Sequence, residues 1–289
     1  METALEGVRV LDLSENVAGP YCARIFAGFG AEVIKVERPM EGDAARSVAP
    51  FLDDEPGRER SGLFLYLNVN KKGITLDPAT ATGAALLREL VRDTDIIIES
   101  FSPGQMEKWG LGYPELQRLN PRLVCCSISG FGQSGPYSQL PSYDYIVQAM
   151  GGMMSITGSE ESGPLKVGVA IADLATGLYC AIGILAALQE RERSGEGQHL
   201  DIALLDSQIS LLVNVASNYL VSGQIPKRYG NQHPNIVPYQ TFRASDGEMV
   251  VAVGNDRQFQ KLCQVLERPD LAEEPDYGTN TARLATGSG

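Results

Sequence analysis

Histidine is almost missing from this sequence: only two occur, His199 and His233. His-based metal centres, and nucleophiles paired with histidine, therefore have little to be built from. The five cysteines, Cys22, Cys125, Cys126, Cys180 and Cys263, form no CxxC spacing, so neither a zinc ribbon nor a dithiol redox motif is present. Positive charge is also in deficit. Twenty-four Lys and Arg face 36 Asp and Glu, a formal net charge of -12, whereas nucleic-acid-binding domains carry the opposite balance. An acidic chain that binds an anion needs a local basic pocket. No apolar run reaches the roughly 20 residues that span a bilayer. The longest, Leu174–Leu188, reads as a buried core helix. The opening METALEGVRV lacks the charged-then-apolar pattern of a secretory signal. An odd cysteine count without such a signal points to buried thiols in a reducing, cytoplasmic setting. These absences lead us to expect no metal, no nucleic acid and no membrane partner.

What is present is a globular pattern. Of 289 residues, 43% are hydrophobic, ample for one large or two modest domains. Strand signals fall at 8–13 (VRVLDL), 32–37 (EVIKVE), 74–76, 95–99 (DIIIE) and 123–129 (LVCCSIS). Helical patterns fall between them, near 20–29, 81–92 and from Tyr113 onward. Alternation of this kind, with nearly unbroken apolar strands, predicts an α/β fold: a parallel sheet with helices on both faces. Such sheets bind ligands at the carboxyl ends of their strands. A Gly/Pro/Ser-rich loop covers 129–144, a long helix follows Asp173, and a further strand-helix unit starts at His199. After Gly223 the composition changes, and strands at 238–242 and 248–253 with a helix at 257–266 predict a smaller α+β unit. The expected boundary separates 1–223 from 224–289. The closing RLATGSG reads as frayed; its last three residues lie outside those described below.

The first strand-turn-helix, LDLSENVAGPYCAR, lacks GxGxxG and so argues against a nicotinamide cofactor. Its helix N-terminus at Gly19-Pro20 can still attract an anionic group. Arg38, Arg46, Lys71, Lys72 and Lys108 follow strand signals. Singly each reads as a surface charge; as a set they could form a phosphate site. Asp173, in VGVAIADLATG, is the only charge between Lys166 and Glu190. It reads equally as a helix N-cap and as a nucleophile. The two roles agree, since a helix N-terminus favours an ionised carboxylate.

The segments LEGVRVLDLS, GAEVIKVERP, DIIIESFSPG, NPRLVCCSISGFGQSGPY, YDYIVQAMGG, VGVAIADLATGLY and GEGQHLDIALLDS run in order over most of 5–210. Together they resemble the class III CoA-transferase family (formyl-CoA/carnitine type). Residues 218–266, including NYLVSGQIPKRYG and HPNIVPYQTFRASDG, resemble the branch acting on dicarboxylates such as succinate and glutarate. The resemblance implies a Rossmann-like first domain, with coenzyme A lying along its strand ends as part of an acyl-CoA substrate. It implies a nucleophilic aspartate at Asp173. It implies cofactor contacts from Val17, Ala18, Arg38, Leu76, Ser100, Phe101 and Lys108, and an acyl end near Tyr143 and Asp144. The partners implied are acyl-CoA and small carboxylic acids, and the assembly an interlocked homodimer. Arg46, just beyond the second strand, is the expected cation for a second carboxylate. Ser100 stands where the family usually has Asn, and Val69 where many members carry Arg. A racemase of α-methylacyl-CoA type is the nearest rival, but it pairs its aspartate with a histidine before the mid-chain Asp. Here that stretch is Ser142-Tyr143-Asp144. A non-catalytic CoA-binding protein is the other alternative.

Overall fold

The structure, a computed structural model, describes residues 3–286. They divide into two compact units. The first runs to Met153 and takes in Lys166–Ser222; the second joins Met154–Leu165 to the chain from Gly223 onward.

The first unit is built on six strands: β1 (Arg9–Asp12), β2 (Glu32–Glu37), β3 (Lys72–Thr75), β4 (Ile96–Glu99), β5 (Val124–Ser129) and β8 (His199–Ala203). The intervening β6 (Gly158–Ser159) and β7 (Gly163–Pro164) form a hairpin in the second unit. All six pair in parallel, in the order β3-β2-β1-β4-β5-β8. The chain reverses its winding between β1 and β4, and at such a switch point the strand ends part to leave a crevice. The central strands β4 and β5 are buried along nearly their whole length because both faces are covered. Ile96 and Ile98 join the core under α1 (Ala18–Gly28) and α8 (Ile171–Ser194). Ile97, between them, joins the core under α3 (Ala81–Val91), α4 (Gln105–Lys108) and α5 (Tyr113–Leu119).

α8 is the longest element, 24 residues, closed by Gly195 in the left-handed region (φ 78°). It is long and apolar enough, by length and composition, to cross a membrane. In this fold half of its most apolar window is buried, against α1 and the sheet. α1 and α8 approach closely because residue 177 is glycine: a Cβ there would stand 2.8 Å from the Ala18 carbonyl oxygen and 2.9 Å from the Tyr21 ring. Where these two helices meet β5, Cys22, Cys180 and Cys126 lie in one buried cluster. All five cysteines are free and buried. Shorter helices complete the unit: α2 (Gly62–Asn68), α6 (Asp144–Met150), α9 (Leu204–Ser210) and α10 (Val213–Ser222). α7 (Met153–Ile156) is a single turn at the passage between the units.

The second unit carries the antiparallel pair β9 (Tyr239–Arg243) and β10 (Glu248–Ala252), then α11 (Asp256–Val265) and α12 (Asn280–Thr286). Its small core is Val253, Phe259 and Cys263. Arg283 pins it: the guanidinium lies 4.2 Å over the Phe259 ring and donates to Val237 O, Tyr277 O and Asp256 Oδ1 at 2.7–2.8 Å. The sequence boundary at 223/224 did not foresee the excursion 154–165. Long-range ties draw it into the second unit: Arg228 donates to the Ser159 and Ser155 carbonyls, and the Gly230 N–H to Gly158 O at 2.8 Å.

Candidate active site

A cleft of about 580 Å3 opens in the first unit at the carboxyl ends of β1, β2 and β4. Its walls include Asn16, Arg38, Asp77, Ser100, Phe101 and Trp109. The β1–α1 loop forms one wall and the residues after β4 the other, and a hydrogen bond to a side chain joins them: the Glu15 N–H donates to Ser100 Oγ at 3.0 Å. Asn16 holds the left-handed conformation (φ 66°) that the turn demands, and its N–H donates to Asp43 at 3.1 Å.

Beneath this loop lie four buried charges. Lys35, in the middle of β2, pairs with Asp43 at 2.8 Å and donates to the Ser14 carbonyl at 2.7 Å. Lys71 pairs with Asp12 at 2.8 Å and donates to the Pro20 carbonyl at 2.9 Å. Side-chain exposure is 2% or less for all four. Burial works to raise the Asp12 carboxyl, but the Lys35 and Lys71 ammoniums outweigh it and hold it at about 2. Two cations and two anions cancel, so the loop rests on a neutral, hydrogen-bonded base. Sequence reading missed this network. Its signal was a charge next to apolar residues in each of two strands whose neighbours are buried, Asp12 at the end of β1 and Lys35 within β2.

Asp173 lies in the first turn of α8, with Ala170, not Asp173, at the N-cap position. The capping work is done from α6: Asp144 Oδ1 accepts the Ala172 N–H at 2.8 Å, while its Oδ2 accepts the Gln148 amide at 2.7 Å. Gln148 in turn accepts the Val167 N–H at 2.9 Å. Asp173 is thereby released from structural duty. Burial first, and then the charge of Asp144, push its carboxyl up to about 7. The expectation that the helix N-terminus keeps it firmly ionised is corrected: desolvation and a like charge prevail.

The other expected site residues fall into two groups. Arg38, Ser100 and Phe101 line the cleft. Arg38 is half exposed and only loosely paired, 3.9 Å from Glu15 and 3.5 Å from Glu41. Val17 is the N-cap of α1 and Ala18 its first residue, directly after Asn16. Leu76 instead packs into the core on the α3 side, and it is Asp77 that reaches the cleft. Lys108 is exposed at the end of α4, whose neighbours Gln105 and Trp109 face the cleft. Tyr143, just before α6, is 71% exposed. Arg46 is not free to meet a substrate carboxylate. It grips Glu37 with two bonds of 2.7 Å, donates to Glu59 at 2.8 Å and lies 3.7 Å over the Phe64 ring. Lys71 and Lys72 are likewise spent, on Asp12 and Glu32, so the expected basic set contributes one cation, Arg38, to the cleft wall. No cluster of His, Cys, Asp and Glu suited to a metal occurs among the described residues.

Comparison with known proteins places this geometry. The chain is 48% identical over 283 residues to a succinate–glutarate CoA-transferase of Agrobacterium fabrum, covering 97% of this chain and 71% of that protein. It is 43% identical over 281 residues to succinyl-CoA:glutarate CoA-transferase of Mus musculus, of which it spans 63%. The chain thus covers about two thirds of the length of these relatives. A crystal structure of a CAIB/BAIF family protein from Brucella suis superposes with a TM-score of 0.85 at 46% identity, covering 100% of this chain and 76% of that one. The model of CoA-transferase family III matches residues 5–287. A sheet crevice walled by one loosely paired arginine, and a partly buried aspartate in the first turn of the core helix, are features of a chain that belongs to CoA-transferase family III.

Proposed function

We propose that this protein moves coenzyme A from a dicarboxylic acyl-CoA, succinyl-CoA by preference, to a free carboxylic acid, with Asp173 as the nucleophile. The observation that carries the reading is the state of Asp173: a partly buried carboxyl, free of capping duty, with a second carboxylate beside it. Its relatives' names, succinate–glutarate and succinyl-CoA:glutarate CoA-transferase, support the choice of donor.

The steps balance without metal or ATP. The Asp173 carboxylate attacks the thioester carbonyl of the donor; the C–S bond breaks, and an acyl–aspartyl anhydride and CoA thiolate form. The thiolate attacks the aspartyl carbonyl, releasing the donor acid and leaving an aspartyl–CoA thioester. An acceptor carboxylate attacks that thioester, and the same two exchanges run in reverse. Covalent catalysis divides one hard step into easier ones. Burial of Asp173 helps to keep water from the anhydride. The cleft matches in size a site for the nucleotide end of CoA. Arg38 offers it a cation, and the N-terminus of α1 the positive end of a helix dipole.

Intact-mass analysis after incubation with succinyl-CoA tests the reading. A CoA adduct on the parent that is lost in Asp173→Ala is the expected result. A folded parent that never acquires the adduct overturns the transferase and favours a binding-only protein. A cytoplasmic homodimer is the assembly we expect. Exposed apolar side chains on α8, such as Leu178 and Ile182, support it, and light scattering of the purified protein checks it.

A further inference from the structure

Behind the Phe101 wall of the cleft lies a second, almost filled cavity of about 10 Å3, lined in part by Glu99, Ser127, Tyr113, Gln133 and His199. The β4–β5–β8 register explains the grouping. Glu99, Ser127 and Asp201 stand side by side on three neighbouring strands, one pleat beyond Cys125 and His199. Glu99 is 4% exposed. Its carboxylate accepts the Phe101 N–H at 2.8 Å and stands beside Ser127, whose hydroxyl lies 2.9 Å from His199 Nε2. The His199 ring is fixed by stacking on Tyr113, 5.2 Å away. Phe101 packs edge-on against Trp109 at 5.0 Å, and both rings line the cleft. Glu99 therefore grips, by one backbone bond, the segment that forms the cleft wall.

We propose that Glu99 is a positioning residue for the CoA-binding cleft: ionised, it fixes the Ser100–Phe101 wall, and protonated, it releases it, so that affinity for CoA falls as pH falls. This rests on the reading of the cleft as the CoA site. The bond it makes to Phe101 is charge-assisted in the ionised form and weaker in the neutral one. The surroundings place the change near neutrality. Burial, above all, and the negative charges of Glu107 on α4 and Asp201 on β8 raise Glu99 to about 7, against the lowering pull of the Ser127 hydroxyl and the Phe101 N–H. Burial pushes the Cys125 thiol and the Tyr113 phenol up, and lowers His199. No role in the acyl exchange involves Glu99.

Trp109 is the only tryptophan in the chain, so its emission reads the wall without any ligand. The expected result is an emission change centred near pH 7 in the parent and absent in Glu99→Gln. Ser127→Ala, which removes the hydroxyl dipole beside the charged form, should move the midpoint up by about one pH unit. Ser127→Ala carries the test by itself if Glu99→Gln does not fold by circular dichroism. Calorimetric titration with CoA at pH 6 and pH 8 then reads the coupling. The parent should gain at least about fivefold in affinity over that interval relative to Glu99→Gln. Titration of the CoA phosphate is common to both proteins and cancels in the ratio. An unchanged pH response in Glu99→Gln, or a Trp109 response with the same CoA affinity ratio in both proteins, overturns the proposal. Absence of CoA binding at every pH overturns instead the reading of the cleft, while the Trp109 response still tests the grip of Glu99.

Discussion

Asp173 and Asp144 share one corner of the first unit yet meet different surroundings. Asp144 is surrounded by donors, the Ala172 N–H and the Gln148 amide, whereas burial dominates at Asp173. An acid raised to about 7 is largely protonated below that pH and ionised above it, so kcat/KM for acyl-CoA should rise through pH 7. Asp144→Asn keeps an oxygen to cap α8 but removes the like charge. Its acid limb should move down by about half a pH unit, not more, because burial, the larger cause, remains. An unmoved limb would show that the two carboxyls are not coupled. At Arg46 the structure redirects a sequence expectation. Arg46→Ala leaves Glu37 buried without its partner and should cost about 2–3 kcal/mol of stability in chemical denaturation. Its effect on KM should be the same for mono- and dicarboxylates; a selective rise for dicarboxylates would restore the substrate role. Sequence reading placed Arg46 beside the second strand, but of the partners that occupy it only Glu37 lies in a strand signal; Glu59 and Phe64 come from a stretch without one. Asp173 was legible because it is an isolated charge in an apolar helix. The wall residues Ser100 and Phe101 were legible from the family likeness, not from their chemistry.

At the scale of elements, the parallel sheet was the readable part. EVIKVE coincides with β2, and the three isoleucines of β4 feed both cores in turn. α2 and α6 were not legible. Each has seven residues, too few for a helical period to show, and α6 begins within the stretch read as loop. The tie between α1 and α8 was invisible as well, since a glycine inside a helix pattern reads only as a propensity loss of about 1 kcal/mol. Its use emerges from the helix crossing. Gly177→Ala would press a methyl group into the Ala18 carbonyl and the Tyr21 ring. Because Gly177 lies one turn beyond Asp173 and faces the start of α1, the forced shift disturbs both halves of the site. A loss of about 1–3 kcal/mol is expected despite the better helix propensity of alanine, together with weaker CoA binding. A stabilised variant would show that the helices can part at no cost.

For the whole molecule, the raised acids set an unusual dependence of stability on pH. Asp173 moves from 3.8 to about 7 on folding, and Glu99 from 4.5 to about 7. The folded state thus binds more protons than the unfolded one between about pH 4 and 7. Stability from these two groups is fully present below that window and is lost as pH rises through it. Asp12, held at about 2, acts in the opposite sense, and its contribution fades only as pH falls below 3.8. Calorimetric Tm should therefore decline from pH 5 to pH 8. Asp173→Asn should lessen the decline and melt higher than the parent at pH 8. A parent Tm that is flat over this range would contradict the burial of these carboxyls.

The buried thiols have a further use. Four of the five sit in the first unit, and Cys263 alone in the second. None meets solvent in the closed fold, so a thiol reagent reacts only when its unit opens. Modification of Cys263 clocks the breathing of one unit and modification of the other four the breathing of its neighbour. The chain thus carries separate timers for its two units, without any label being engineered into it.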